Sequence, residues 1–246
     1  MKYLYSLLAL FMVCSIQKTN DRPMVFVEGT EGVDAFYMDQ YEVTLAQFNE
    51  FVKETNYQTE TEKKGEGRIF KGLSKMVPGV NWRHDVEGNL IELSDYSRYP
   101  VTRLNVVDIK NYCKWAGLQI PSLEEWLLAA NEGSKDLKYK YSGSNNLNRV
   151  GWFDGNSREL TQPIGTKNQN ALGFFDMSGN VGELVWTIEE KDTVYKYVGG
   201  TFFHDKSDAQ LSNVVEGFAW EMKEPRFTEA WSSPYLGLRL VRRESK

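Results

Sequence analysis

Between residues 176 and 183 two carboxylates, Asp176 and Glu183, flank the small-residue turn Ser178-Gly179-Asn180. Calcium takes several hard oxygen ligands, usually carboxylates together with backbone carbonyls, and a tight turn between two acids can supply both. The competing reading is structural, because Asp and Asn commonly cap turns with their own side chains. The chain has two histidines. His84 stands alone beside Trp82 and Asp85, as a surface group would. His204 adjoins Asp205; such neighbours read as a local hydrogen-bonded pair before they read as a metal or acid–base site. The two cysteines are Cys14 and Cys113. No Gly-x-Ser-x-Gly elbow is present. The glycines of Gly65-Glu66-Gly67 do not join a strand to a helix, so they cradle no phosphate.

The elements that must hold these groups follow from patterning. Strands are expected at Met24–Val27 and over 36–43. A helix starts after Thr44, whose hydroxyl and the Gln47 amide have capping-box spacing, with Leu45, Phe48 and Val52 on its apolar face. Residues 56–100 are polar with scattered glycines and aromatics, and are expected to be irregular. Asn105 and Gly117 bracket a second helix, which carries Cys113. Ser122 and Glu125 open a third, with Leu123, Trp126, Leu127 and Ala130 facing inward and Gly133 as its stop. Beyond Tyr139 come turns between short strands, among them 195–198 and 236–241. No linker or repeat divides the chain, so the class is α+β, one domain with much irregular structure.

The first residues differ in kind. Positions 4–13 are apolar apart from Ser6, too short to span a bilayer but suited to the core of a signal peptide. Cys14 follows directly, in the place of a lipid-attachment residue, whereas cleavage near Ser15 is the alternative. Residues 1–20 are therefore read as a secretion or lipoprotein signal with a short linker, and 21–246 as the domain. Without the signal only Cys113 remains, so no disulfide can form within the domain. Net charge is −5 with the signs interspersed, which excludes a nucleic-acid-binding face. Membrane association is expected only through the N-terminal anchor.

Taken in order, five segments resemble the sulfatase-modifying factor (formylglycine-generating enzyme) family. They are FYMDQYEVTLAQFNEFVKETNY (36–57), YPVTRLNVVDIKNYCKWAGLQIPSLEEWLLAAN (99–131), VGWFDGNSRELTQPIGTKNQNALGFFDMSGNVGELVW (150–186), YVGGT (197–201) and GLR (237–239). The resemblance implies the formylglycine-generating-enzyme fold, related to C-type lectins. It also implies a structural calcium site from the side chains of Asp176 and Glu183 and the carbonyls of Gly179 and Val181, and it puts His204 and Asp205 near the family's active cleft. For active members it implies copper held by two cysteines between the Gly-Gly strand and the closing Gly-Phe-Arg strand. Copper(I) selects sulfur ligands, and residues 201–236 of this chain contain no cysteine. A copper oxidase is thus not expected. Two histidines are also too few for the three-histidine site of the related sulfoxide synthases. Gln119, Ile120, Gly182, Leu184 and Leu238 depart from the family pattern. The resemblance therefore points to an exported, non-catalytic member that binds or assembles with a protein partner at the bacterial cell envelope. Trp220 and Trp231 are natural contacts there, and equally natural core residues. The alternatives are an oxidoreductase of altered chemistry and a lectin-like carbohydrate-binding module, the latter resting on fold alone.

Overall fold

Helix caps written into the sequence account for the three longest helices. The computed structural model describes residues 22–71, 73–215 and 232–244. Thr44 caps α1 (Leu45–Thr55), Asn105 caps α3 (Val106–Ala116) and Ser122 caps α4 (Leu123–Ala130). Each closes a reciprocal capping box with Gln47, Asp108 and Glu125 respectively. Every box satisfies two amides that a helix start leaves open. Gly117 ends α3 in the left-handed conformation at φ 67°, as its position predicts.

The expected apolar faces need adjustment. On α1 the buried residues are Leu45, Phe48 and Phe51, with Val52 only partly covered. On α4 they include Trp126, Leu128, Ala129 and Ala130, while Leu123 and Leu127 lie at the margin. Helix α4 ends at Ala130, before Gly133.

Among the described residues, three small sheets complete the frame. Strands β1 (Met24–Val27), β2 (Phe36–Asp39) and β8 (Val241–Arg243) form an antiparallel sheet in the order β1-β2-β8, which brings the two ends of the fold together. The second expected strand is thus shorter than 36–43. Strands β5 (Gly182–Glu189) and β6 (Asp192–Val198) pair antiparallel, and β7 (Leu236–Gly237) joins β5 in parallel. The remaining sheet lies inside the segment expected to be irregular. Residues 56–100 contain α2 (Glu60–Lys64), the hairpin β3 (Glu66–Lys71) and β4 (Leu73–Pro78), and a 3-10 turn, Leu93–Asp95. Short helical turns α5 (Leu147–Val150), α6 (Asp154–Ser157) and α7 (Leu211–Val215) punctuate the rest.

Arg103 orders much of that missed segment. It is fully buried, and its guanidinium donates to the carbonyls of Arg68, His84 and Asp85, tying β3 and the loop after β4 to the core. Trp82, from the same loop, packs edge-on against Phe48 of α1 at 5.1 Å. His84 is half-buried, and its Nδ1 accepts from the Asn81 amide 3.2 Å away. Among the described residues no helix is long and apolar enough to cross a membrane. Cys14, Trp220 and Trp231 lie outside the described residues.

Candidate functional site

The segment from Asp176 to Asn180 is a strained turn held by backbone bonds on all sides. Asp176, Gly179 and Asn180 take positive φ of 55°, 96° and 58°. A side chain at Gly179 would lie 2.1 Å from the Trp152 carbonyl oxygen, so the position tolerates only glycine. Asn180 does more than cap its own turn. Its Oδ1 accepts from the Gln162 amide at 2.9 Å, its Nδ2 donates to Glu42 Oε2 at 2.7 Å, and its carbonyl accepts from Phe202 at 2.7 Å.

Behind this turn lies a buried charge cluster of Glu42, Asp176, Glu183 and Arg239, all at most 2% exposed. Glu183, the second residue of β5, receives Arg239 in a forked pair: Nε at 3.0 Å from both carboxylate oxygens and Nη2 at 2.7 Å from Oε1. Trp126 on α4 adds its indole N–H to Oε2 at 2.6 Å. Arg239 spends its other donors on the carbonyls of Asp39 (2.8 Å) and Phe175 (2.7 Å). One side chain thus ties β2, the turn region, β5 and the C-terminal segment together. Burial opposes the charge of Arg239, but Glu183 and its hydrogen bonds hold the guanidinium protonated beyond its usual range.

Three carboxylates against one guanidinium leave the cluster short of positive charge. Burial, followed by repulsion from Asp176 and Glu183, pushes the Glu42 carboxyl well above the usual carboxylate range. Glu42 receives only neutral donors, Asn180 Nδ2 and the Val181 amide at 3.1 Å. Burial likewise pushes Asp176 up to about 6. Asp176 Oδ2 accepts from the Gly165 amide at 2.7 Å, whereas Oδ1 is buried without a partner. A buried acceptor left open beside excess negative charge suits a hard cation. The two expected carboxylate ligands nonetheless differ: Asp176 has an open oxygen, and Glu183 is taken up by Arg239 and Trp126. Sequence reading missed both Glu42 and the partner role of Arg239. They stand far from the 176–183 segment along the chain, and only the closing of β2 against the C-terminal segment unites them.

His204 and Asp205 do not form a dyad. His204 Nδ1 lies 2.9 Å from Thr201 Oγ1, and its ring packs near Tyr235 at 5.7 Å, in a row that includes Phe203 and Phe70. Burial lowers its pKa, against the pull of Asp208, Asp205 and Asp154. The Asp205 carboxylate instead accepts from the amide and hydroxyl of Ser207, two residues on. Among the described residues no three His, Cys, Asp or Glu side chains are grouped to hold a metal.

Cys113 sits on α3 at 8% exposure in the core, and burial pushes its thiol up to about 12. The family model described as "Sulfatase-modifying factor enzyme 1-like domain" matches residues 15–244. The chain belongs to that family. The mouse formylglycine-generating enzyme is 32% identical over 202 residues, covering 69% of this chain and 53% of that protein. A mouse protein named inactive C-alpha-formylglycine-generating enzyme 2 is 29% identical over 181 residues, covering 63% and 58%. The chaperone protein LppX of Paenibacillus barcinonensis is 30% identical over 247 residues, covering 84% and 80%. The chain spans about half the length of the mammalian formylglycine-generating enzymes it matches. Among solved structures, PvdO from Pseudomonas aeruginosa superposes with a TM-score of 0.62 at 19% identity, covering 86% of this chain and 82% of that one. CarF gives 0.60 at 18%, covering 91% and 99%. The architecture is the α+β fold of the sulfatase-modifying factor family. At Gly182, one of the positions where the sequence departs from the expected pattern, a side chain would lie 2.8 Å from Leu236.

Proposed function

We propose that this family member is non-catalytic and acts as a binding or assembly domain for a protein partner at the bacterial cell envelope. One observation carries the reading: the domain has a single cysteine, buried on α3 with its thiol pushed up to about 12. A bis-thiolate copper centre needs two accessible thiolates, and Cys113 supplies none at neutral pH. Two relatives support the direction, one named inactive and one named a chaperone. The apolar run over residues 4–13 followed by Cys14 supports export with a lipid anchor. The test is incubation of the purified chain with copper, oxygen and a cysteine-containing sulfatase peptide, followed by mass spectrometry. The peptide is expected to stay unchanged; aldehyde formation would restore the oxidase reading.

A structural calcium ion belongs to the same proposal, favoured by the orphaned Asp176 Oδ1. Asp176 and the carbonyls of Gly179 and Val181 would hold it, with Glu183 kept for Arg239. Bound there, the ion would supply the positive charge that Glu42 and Asp176 lack, and so stabilise the turn without taking part in chemistry.

A further inference from the structure

The sheet that joins the two ends of the fold has one face in the core and one outside it. Val27, Phe36, Met38 and Val241 are buried, and Val25 packs beside them. Successive strand residues point to opposite faces, so Phe26, Tyr37 and Arg242 share the outer one. The pairing register sets these three in a row across β1, β2 and β8. The row is continuous. The Phe26 and Tyr37 rings lie 5.2 Å apart, and the Arg242 guanidinium stands 4.6 Å from the centre of the Tyr37 ring. Phe26 is 50% exposed within its strand, and Arg242 is exposed. Among the described residues no strand pairs with the outer edge of β1.

Chain length and charge indicate what this face meets. Arg22, the first described residue, stands two positions before β1. Eight residue steps separate it from Cys14, and a chain of that length reaches at most about 29 Å. An acyl group on Cys14 would therefore hold this sheet close to a bilayer. The two ends of the sheet differ in charge. Where the chain enters, Met24 pairs with Asp39, and Arg22 forks onto the Asp39 carboxylate and neutralises it. Glu28 and Glu244, both exposed, follow β1 and β8 at the opposite end, away from the tether. The row between carries one cation beside two rings. That combination suits the boundary between lipid headgroups and acyl chains, where aromatic rings bury partway and an arginine reaches phosphate.

We infer that the outer face of the β1-β2-β8 sheet rests on an anionic phospholipid bilayer, with Phe26 and Tyr37 at the headgroup boundary and Arg242 on lipid phosphate. The inference rests on the reading of Cys14 as the lipid-attachment residue. It adds which side of the domain faces the membrane, and so which side is left for a protein partner.

The test places 4-trifluoromethylphenylalanine at position 26 or, for comparison, at position 90. Leu90 is 64% exposed, and its loop is held by Arg103 just before α3 begins. Arg22 instead contacts Tyr112 in the second half of that helix. Cys14 of the purified full chain is coupled to a maleimide phospholipid in nanodiscs of phosphatidylcholine and phosphatidylglycerol that carry a gadolinium-chelating lipid. Fluorine NMR then reads the paramagnetic broadening of each reporter, after thermal unfolding has shown that both labelled chains fold as wild type. Broadening at position 26 should exceed that at position 90 several-fold. Arg242→Gln should weaken the docked state about fivefold, the loss of one cation near an anionic surface. Equal broadening at the two positions, or more at 90, would overturn the inference. So would broadening at 26 that Arg242→Gln leaves unchanged. The anchor is tested separately by the mass of Cys14 in chain recovered from bacterial membranes: an unmodified cysteine would overturn the anchor, whereas the nanodisc result decides the face.

Discussion

Removing the guanidinium of Arg239 should nearly unfold the protein, and the size of the effect can be worked from its surroundings. Arg239 is fully buried, forks onto Glu183, and donates to the carbonyls of Asp39 and Phe175. Breaking a buried ion pair from one side costs about 3–5 kcal/mol, because the other charge is left uncompensated. Each orphaned carbonyl adds about 1–3 kcal/mol. Against a total stability of about 5–15 kcal/mol, Arg239→Met should fold marginally or not at all. Arg239→Lys keeps the charge but loses the fork, and should fall between it and wild type. The informative variant is Glu183→Gln with Arg239→Met. The amide still accepts from Trp126 and no longer needs a cation, so the double variant should be more stable than the summed losses by about 3 kcal/mol. Urea unfolding followed by tryptophan fluorescence and circular dichroism measures this. A loss below about 1 kcal/mol for Arg239→Met, or strict additivity in the double variant, would refute the reasoning.

Other outcomes follow from the same geometry. Adding calcium to chelator-treated protein should raise its melting temperature, and Asp176→Ala should remove that response. Without calcium, Asp176 is pushed from 3.8 to about 6 in the fold, so the folded state holds its proton more tightly than the unfolded chain. Its contribution is present below about 4 and lost as pH rises through about 6, and Asp176→Asn should flatten melts across that window. Gly179→Ala should cost roughly 3 kcal/mol or more, or prevent folding, because the added carbon meets the Trp152 carbonyl at 2.1 Å; expression and denaturant melts check this. Cys113 should resist a thiol-specific disulfide reagent at pH 8 until denaturant is added.

Legibility followed the range of the interaction. Helix starts at Thr44, Asn105 and Ser122 were readable because both partners of each capping box lie three residues apart. Strand β1 was readable from its own composition. The hairpin β3–β4 and the loop after it were not, since Arg103 ties them to the core through the carbonyls of Arg68, His84 and Asp85, which lie 35, 19 and 18 positions away. At the site, the 176–183 turn announced itself through its carboxylates and small residues. Glu42 and Arg239 gave no local sign of meeting Asp176 and Glu183, because sequence spacing carries no information about which charges a fold buries together. Neighbours in sequence also misled: Asp205 follows His204, yet it bonds to Ser207.

The most direct measurement is a copper(I) titration of the purified chain in competition with a chromophoric chelator, under reducing, anaerobic conditions. A domain whose one thiol lies in the core at 8% exposure should leave all of the metal with the chelator. Stoichiometric uptake of copper(I), with sulfur ligation visible in its X-ray absorption spectrum, would contradict the proposal that this family member is non-catalytic.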